Sequence, residues 1–223
     1  MQNIIMKMKA KNLLFCLAGA AMALPAGGQH WGFGLQAGYL HDRITTQKLS
    51  AGPFKGFTVG GTADVTFPCR LTLETGLQYR WMRGSLKGPM PTNGLHFRAD
   101  RMDYLQLPLT VGYRIYPMPH LMLTPKVGGY AALGLKADGW VEGTDAHGQP
   151  FGVAADLFRH TPVPADYRPL NRFDSGILTG LEVTYRHFGL EATYQLGLTH
   201  MAATYDSRLL HRSWNIALNY RFR

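Results

Sequence analysis

Residues 176–198 alternate strictly between apolar and polar side chains over two consecutive runs. A period of two predicts β-strands, because successive side chains of a strand point to opposite faces of the sheet. A two-residue connection at Arg186 and His187 would pair Tyr185 with Phe188 and keep both apolar sets on one side of a hairpin. The chain is therefore expected to be built from antiparallel strands.

The same alternation recurs along the chain and predicts eight strands. They lie at about residues 31–41, 54–67, 71–82, 102–116, 121–136, 176–185, 188–198 and 212–222. The connections alternate between long ones, at 42–53, 83–100, 137–172 and 199–210, and short ones, at 68–70, 117–119 and 186–187. Pro108 lacks an amide donor, so a bulge or bend is expected there. The pattern predicts an all-β fold, an eight-stranded antiparallel up-and-down transmembrane β-barrel with short periplasmic turns and long extracellular loops.

Alternation alone leaves open which face of the barrel is outside. A soluble barrel of the lipocalin type would turn its apolar face inward, whereas a membrane barrel turns it toward lipid. Large aromatic residues lie on the apolar face of this chain, and bilayer interfaces collect such side chains. They are Trp31, Phe33, Trp81, Trp214, Tyr220 and Phe222. Their placement favours an integral protein of the outer membrane.

Three stretches resemble a known family: residues 104–109 (YLQLPL), 189–194 (GLEATY) and 219–222 (NYRF). The first is similar to the Tyr-Leu-x-Ile-Pro-Leu strand of the PorT-like small outer-membrane β-barrels of Bacteroidetes, and the whole mature chain more distantly resembles the OmpA and OmpX barrels. The aromatic end of the last strand resembles the signal read by the barrel-assembly machinery, although Arg223 follows it. The resemblance implies a fold and a membrane rather than an activity, and it suggests an accessory subunit of a larger complex.

The first 28 residues have the pattern of a cleaved secretory signal peptide. Lys7, Lys9 and Lys11 precede an apolar run of about a dozen residues, and small residues follow it. Cleavage is expected after Gly28, with an alternative site after Ala23, so the barrel domain is expected to cover residues 29–223.

The charge of the exported chain indicates its class of partner, and its cysteine content limits its disulfides. Without the three signal-peptide lysines, the mature chain has 20 basic residues against 14 acidic ones, and Cys69 is its single cysteine, so no internal disulfide can form in it. A positive exported protein without a nucleic-acid motif is expected to meet anionic lipid headgroups rather than nucleic acid.

Charged residues on the polar face predict an ion-pair network inside the barrel. In the hairpin register Glu182 and Glu191 lie opposite each other, and two such carboxylates repel unless a cation bridges them or one takes a proton. We expect Arg114, Lys126 or Arg221 to supply that cation. The inward set is Glu74, Gln78, Arg80, Arg114, Lys126, Glu182, Glu191 and Arg221. Paired carboxylates also serve acid–base catalysis, but a barrel this narrow favours a structural plug.

His211 and Ser213 form a second candidate, because a His-x-Ser pair resembles the catalytic segment of outer-membrane lipid A deacylases. Trp214 and Asn215 replace the rest of that motif, alternation turns both side chains inward, and no partner carboxylate is identifiable at the same height. No catalytic residue is therefore assigned.

Basic residues are concentrated in or beside the long connections. They are Arg43, Lys48, Arg83, Lys87, Arg98, Arg101, Arg159, Arg168, Arg172, Arg208 and Arg212. They are either simply solvated or in contact with lipopolysaccharide phosphates or an acidic partner. The remaining histidines lack metal-ligand spacing, so neither a metal nor a cofactor is expected.

The sequence thus predicts a non-enzymatic outer-membrane barrel with a filled interior, acting as a structural or accessory subunit beside a larger secretion, assembly or uptake complex. The alternatives are a lipid A-modifying, deacylase-like barrel and a small pore.

Overall fold

The computed structural model describes residues 29–45, 50–90, 94–144, 148–159, 169–199 and 210–222, and the predicted signal peptide lies outside them. Within these residues the chain forms eleven β-strands. They are β1 (His30–Thr45), β2 (Ser50–Ala51), β3 (Phe54–Thr66), β4 (Leu71–Pro89), β5 (His96–Tyr113), β6 (Ile115–Met118), β7 (Leu121–Thr144), β8 (Pro150–Asp156), β9 (Phe173–Tyr185), β10 (Phe188–Gly197) and β11 (Leu210–Phe222). No helix in this part of the chain is long and apolar enough to cross a membrane.

Eight of these strands close into an antiparallel ring in the order β4, β3, β1, β11, β10, β9, β7 and β5, with β5 pairing back to β4. The first and last strands meet, so that Phe33 lies opposite Phe222. Closure removes the free sheet edges, which is the condition for a β-structure in lipid. The predicted eight-stranded antiparallel barrel is confirmed.

The apolar face of the wall points outward, as predicted. On β9, β10 and β11 the side chains of Leu181, Leu190 and Leu218 are 47%, 52% and 68% exposed, whereas Glu182 and Glu191 are 0% and 5% exposed. A soluble barrel would show the opposite distribution.

The hairpin between β9 and β10 has the predicted two-residue turn, with Tyr185 opposite Phe188. Arg186 adopts a φ of 56°, a left-handed conformation that costs free energy for a residue with a Cβ. Tight turns between twisted strands commonly require a positive φ, which explains why the strain is tolerated here.

The strands run further into the predicted loops than the sequence indicated. Residues 83–100 were expected to form a loop, but β4 and β5 continue through much of this stretch, and β7 and β8 form a hairpin inside the predicted 137–172 loop. The register between β5 and β7 shifts between Asp103 and Tyr104, opposite Lys136 and Gly134. Because this shift exchanges the inward and outward positions on β7, the alternation expected of one strand stops there, although the strand continues. No bulge forms at Pro108, since the pairings on either side of it keep one register with β4, and a bend at this position stays a prediction.

The interior has two parts rather than the uniformly polar face that was expected. Polar and charged residues fill the half toward the short turns, and a hydrophobic core fills the half toward the long connections. Its larger members are Leu40, Phe54, Met82, Leu86, Phe97, Met102, Tyr104, Leu157, Phe158 and Leu170. Leu157 and Phe158 follow β8, and Phe158 meets Tyr104 edge to face with ring centroids 5.4 Å apart. The segment after β8 therefore closes the barrel from the long-loop end.

Candidate functional site

The charged residues nearest the short turns form one connected group, called here the lumen ion-pair cluster. Each comes from a different place on the wall, and alternation along its strand turns it inward. The members are Asp64 on β3, Glu74 on β4, Arg114 after β5, Lys126 on β7, Glu182 on β9, Glu191 on β10 and Arg221 on β11.

Lys126 lies between three carboxylates. Its Nζ donates to Glu74 at 2.8 Å and to Glu182 at 3.1 Å, and it lies 3.4 Å from Glu191. Glu191 lies directly opposite Glu182 in the β9–β10 register. One ammonium group therefore separates the two facing glutamates, and two of the three cations expected to do so, Lys126 and Arg221, contact Glu182.

Arg221 links the opposite side of the cluster. Its guanidinium donates to Glu182 at 2.8 Å, to Glu74 at 3.3 Å and to Asp64 at 2.5 Å. Arg114 donates to Asp64 at 2.5 Å and contacts neither of the facing glutamates. Asp64 was absent from the predicted set, although its position on β3, in phase with inward Thr58, would have identified it.

The donors around Glu182 occupy both of its carboxylate oxygens. Oε1 accepts from Thr184, Asn219 and Arg221, and Oε2 accepts from Lys126 and Arg221. A carboxylate so fully hydrogen-bonded has no free lone pair facing a cavity, so this geometry favours a structural ion-pair plug over an acid–base pair.

A second buried group, called here the His211 cluster, lies further from the short turns. Arg80 belongs to it rather than to the lumen ion-pair cluster, since its guanidinium donates to Gln106 at 2.6 Å, Gln195 at 3.0 Å and Ser213 at 2.8 Å. Gln36 adds neutral partners to the lumen ion-pair cluster, because it accepts from Gln78 at 2.8 Å and donates to Glu191 at 3.5 Å.

His211 has the partner carboxylates that the sequence did not reveal. Its Nε2 is hydrogen-bonded to Asp42, and its Nδ1 lies 3.5 Å from Asp174. Asp174 also accepts from Tyr130 at 3.0 Å and Thr199 at 2.5 Å. Asp42 lies in the predicted 42–53 connection, and Asp174 lies between the predicted 137–172 connection and the predicted strand that begins at residue 176, so alternation gives neither side chain a direction.

The burial of His211 and Ser213 decides whether a lipid substrate can reach them. His211 is 3% exposed and Ser213 is 0% exposed, and the Ser213 hydroxyl oxygen accepts from Arg80. A lipid acyl chain on the outer wall does not reach a hydroxyl enclosed in the barrel, so the geometry gives no support to a deacylase site.

A cavity of about 410 Å³ opens at the short-turn end and is lined in part by Asp64, Arg114 and Arg221 of the lumen ion-pair cluster. The cluster forms the inner boundary of this cavity. Among the described residues, no group of three or more His, Cys, Asp or Glu side chains is arranged to hold a metal ion, and Cys69 is exposed.

Solved structures of similar fold include three bacterial barrels. Ail, the attachment invasion locus protein of Yersinia pestis, solved in complex with the heparin analogue sucrose octasulfate, is 14% identical, with 86% of this chain and 99% of that chain covered and a TM-score of 0.42. Neisserial surface protein A is 17% identical over 87% and 99% of the two chains, with a TM-score of 0.44. OprG from Pseudomonas aeruginosa is 10% identical over 88% and 98%, with a TM-score of 0.48.

No curated protein matches this sequence. The family model described as "Outer membrane protein beta-barrel domain" matches residues 28–203, which is most of the chain. The chain therefore belongs to the outer membrane protein beta-barrel domain family and is an integral protein of the outer membrane.

Proposed function

We propose that this barrel is a non-enzymatic structural or accessory subunit that acts through its outer surfaces, beside a larger secretion, assembly or uptake complex of the outer membrane. The filled interior is the observation that carries the proposal. Glu182 and Ser213 are fully enclosed in the polar half, and Phe158 is 1% exposed in the hydrophobic half. A barrel closed in both halves offers no channel through its interior, and the cavity at the short-turn end stops at the lumen ion-pair cluster, which favours a role for the outer surfaces.

The charged interior then has a structural role. Glu74, Arg80, Arg114, Lys126, Glu182, Glu191 and Arg221 each contact at least one opposite charge or neutral polar partner inside the barrel. Such a plug fixes the strand register around the ring, since each side chain reaches across to another strand.

The β7–β8 hairpin is the surface best suited to contact a larger protein. β7 pairs with β9 as far as Leu133 and with β8 from Asp138 to Thr144. Among the described residues β8 has no second neighbour. An unpaired edge can accept a strand of a partner. Trp140, 45% exposed beside this edge, supplies the large aromatic side chain that protein interfaces favour.

Two further parts of the proposal concern how the chain reaches its site and what surrounds it. Residues 1–28 act as a cleaved signal peptide ahead of a 29–223 barrel domain, and the chain belongs to the narrower PorT-like group suggested by residues 104–109. Its wall contacts outer-membrane lipid, including lipopolysaccharide, whose phosphates suit the basic residues near the long connections.

Purification from native outer membranes in mild detergent, followed by mass spectrometry, tests the accessory role. Wild type is expected to elute with the same companion protein in repeated preparations, and Trp140→Ala is expected to lose it. Trp31→Ala, which removes an exposed tryptophan at the opposite end of the barrel, should retain the companion. Recovery of a lone monomer from wild type would overturn the accessory role.

A further inference from the structure

The lipid-facing wall carries a row of aromatic side chains that runs across three strands. Tyr39 on β1 lies opposite Phe57 on β3, which lies opposite Trp81 on β4. The rings of Phe57 and Trp81 stack with their centroids 5.0 Å apart. Rows of this kind mark the level of the headgroups at the membrane interface.

A row of basic side chains lies two residues nearer the long connections on the same face. His41 lies opposite Lys55, which lies opposite Arg83. Arg43 and Arg212 lie opposite each other on β1 and β11, one step further out. These five residues, His41, Arg43, Lys55, Arg83 and Arg212, are called here the basic arc.

The basic arc lies just outside the apolar band. On β11 the aromatic residues Trp214 and Phe222 are eight positions apart. At about 3.3 Å per residue and a tilt of roughly 40°, they span about 20 Å along the membrane normal, close to the roughly 25 Å band of outer-membrane barrels. Arg212 lies two residues beyond Trp214, so its guanidinium stands at the headgroups of the leaflet on the long-loop side.

The charges of the basic arc have no acidic partner within the described residues, whereas its neighbours do. Arg101 donates to Asp103 at 2.6 Å, and Lys136 lies 2.8 Å from Asp138. Like charges placed directly opposite on adjacent strands repel, as Arg43 and Arg212 must. An anion between them would remove that repulsion.

The wall has a groove at this point. A cavity of about 410 Å³ is lined by His41, Arg43, Tyr194, Arg212 and Trp214. The rings of Tyr194 and Trp214 form one side of it, with centroids 4.6 Å apart. The volume suits a phosphorylated sugar, and the combination of paired arginines with aromatic rings provides both bidentate phosphate contacts and an apolar face for the sugar.

We propose that the basic arc binds the phosphate groups of lipid A in the outer leaflet, and that Arg43 and Arg212 together bind one phosphate in this groove. The site rests on the lipopolysaccharide contact included in the proposed function and names the residues that make it. Lys55 and Arg83 extend the same positive surface to neighbouring phosphates. Binding is expected to weaken with salt, because the contacts are charged and lie at a surface.

The test uses the full purified chain in neutral phosphatidylcholine nanodiscs, with affinity measured for bisphosphorylated lipid A. Arg43→Gln combined with Arg212→Gln is expected to weaken binding about tenfold or more, since charge-assisted hydrogen bonds to a phosphate are lost. Lys136→Gln serves as the matched control, because Lys136 is also exposed on the wall but is paired with Asp138. A heat-modifiability assay on gels confirms that each variant is a folded barrel.

The other possible binding results distinguish failure of the basic arc from failure of the lipopolysaccharide contact. If wild type binds lipid A and the double variant binds equally well, the assignment to the basic arc is overturned while the lipopolysaccharide contact stands. If wild type fails to bind lipid A, both are overturned. Equal binding of dephosphorylated lipid A would overturn phosphate recognition by this site, and equal binding of phosphatidylglycerol would overturn the assignment of the site to lipid A.

Discussion

Glu182 on β9 and Glu191 on β10 lie directly opposite each other inside the barrel, and the Nζ of Lys126 lies within 3.4 Å of both. Lys126 is 4% exposed, so its ammonium group and the two carboxylates are shielded from bulk water. Lys126 therefore supplies the cation beside Glu191, whereas Glu182 is also held by Arg221.

Lys126→Met should destabilise the barrel by roughly 3–5 kcal/mol, because it leaves the buried carboxylate of Glu191 without the cation beside it. Urea unfolding of the chain refolded into lipid vesicles measures the change. Lys136→Met, which removes an exposed lysine paired with Asp138, should cost only about 0–1 kcal/mol. Adding Glu191→Gln to Lys126→Met should recover part of the loss, and strict additivity of the two changes would contradict a direct coupling.

The two filled halves of the interior predict that the barrel does not conduct ions. The lumen ion-pair cluster and the hydrophobic core around Phe158 close the barrel in series. Wild type should therefore give no step currents in a planar bilayer. Phe158→Ala should also give no current, because the polar half stays closed. Discrete openings in wild type would favour the pore alternative.

Leu218 tests whether the outward face of the wall contacts lipid. It lies midway between the aromatic residues Trp214 and Phe222 on β11 and is 68% exposed. Leu218→Arg should cost roughly 2–4 kcal/mol of unfolding free energy in vesicles, whereas Phe222→Arg near the rim should cost much less from lipid exposure, about 0–1 kcal/mol. If the same outward face met water instead of lipid, the Leu218 substitution would change stability by only about 0.5 kcal/mol.

Strict alternation explains why so much of the wall could be predicted from the sequence. Glu182 and Glu191 fall on one face of a hairpin whose turn length sets the register, so their juxtaposition follows from counting residues. Lys126 and Arg221 follow in the same way from the parity of β7 and β11.

The His211 cluster and the hydrophobic core could not be predicted, for two physical reasons. Asp42 and Asp174 lie at or beyond the predicted strand ends, where no run of alternation assigns a direction to a side chain. On β7 the register shift opposite Asp103 and Tyr104 reverses the parity, so that a continuing strand has the sequence pattern of a loop. Phe158 enters the interior from a segment outside the strands, and its contacts depend on the tertiary fold alone.

Gly134 and Phe158 provide a test of how tightly this hydrophobic core is packed. A Cβ placed on Gly134 would lie 2.5 Å from the ring of Phe158, well inside van der Waals contact. Gly134→Ala should therefore destabilise the barrel by roughly 1–3 kcal/mol, the range for overpacking a close-packed interior. Phe158→Leu should cost stability by leaving a cavity, but combined with Gly134→Ala it should relieve the clash. The unfolding free energy of the double variant should then exceed the value expected from adding the two single losses, by about 0.5 kcal/mol or more.

Gly148→Ala, whose Cβ would meet nothing within 4 Å, is a control for the loss of glycine in the same region, although its φ of 78° adds a backbone cost of its own. Because that cost is unrelated to Phe158, Phe158→Leu should not rescue Gly148→Ala. Equal rescue of both glycine variants would show that Phe158→Leu acts globally and that Gly134 is not packed against the ring.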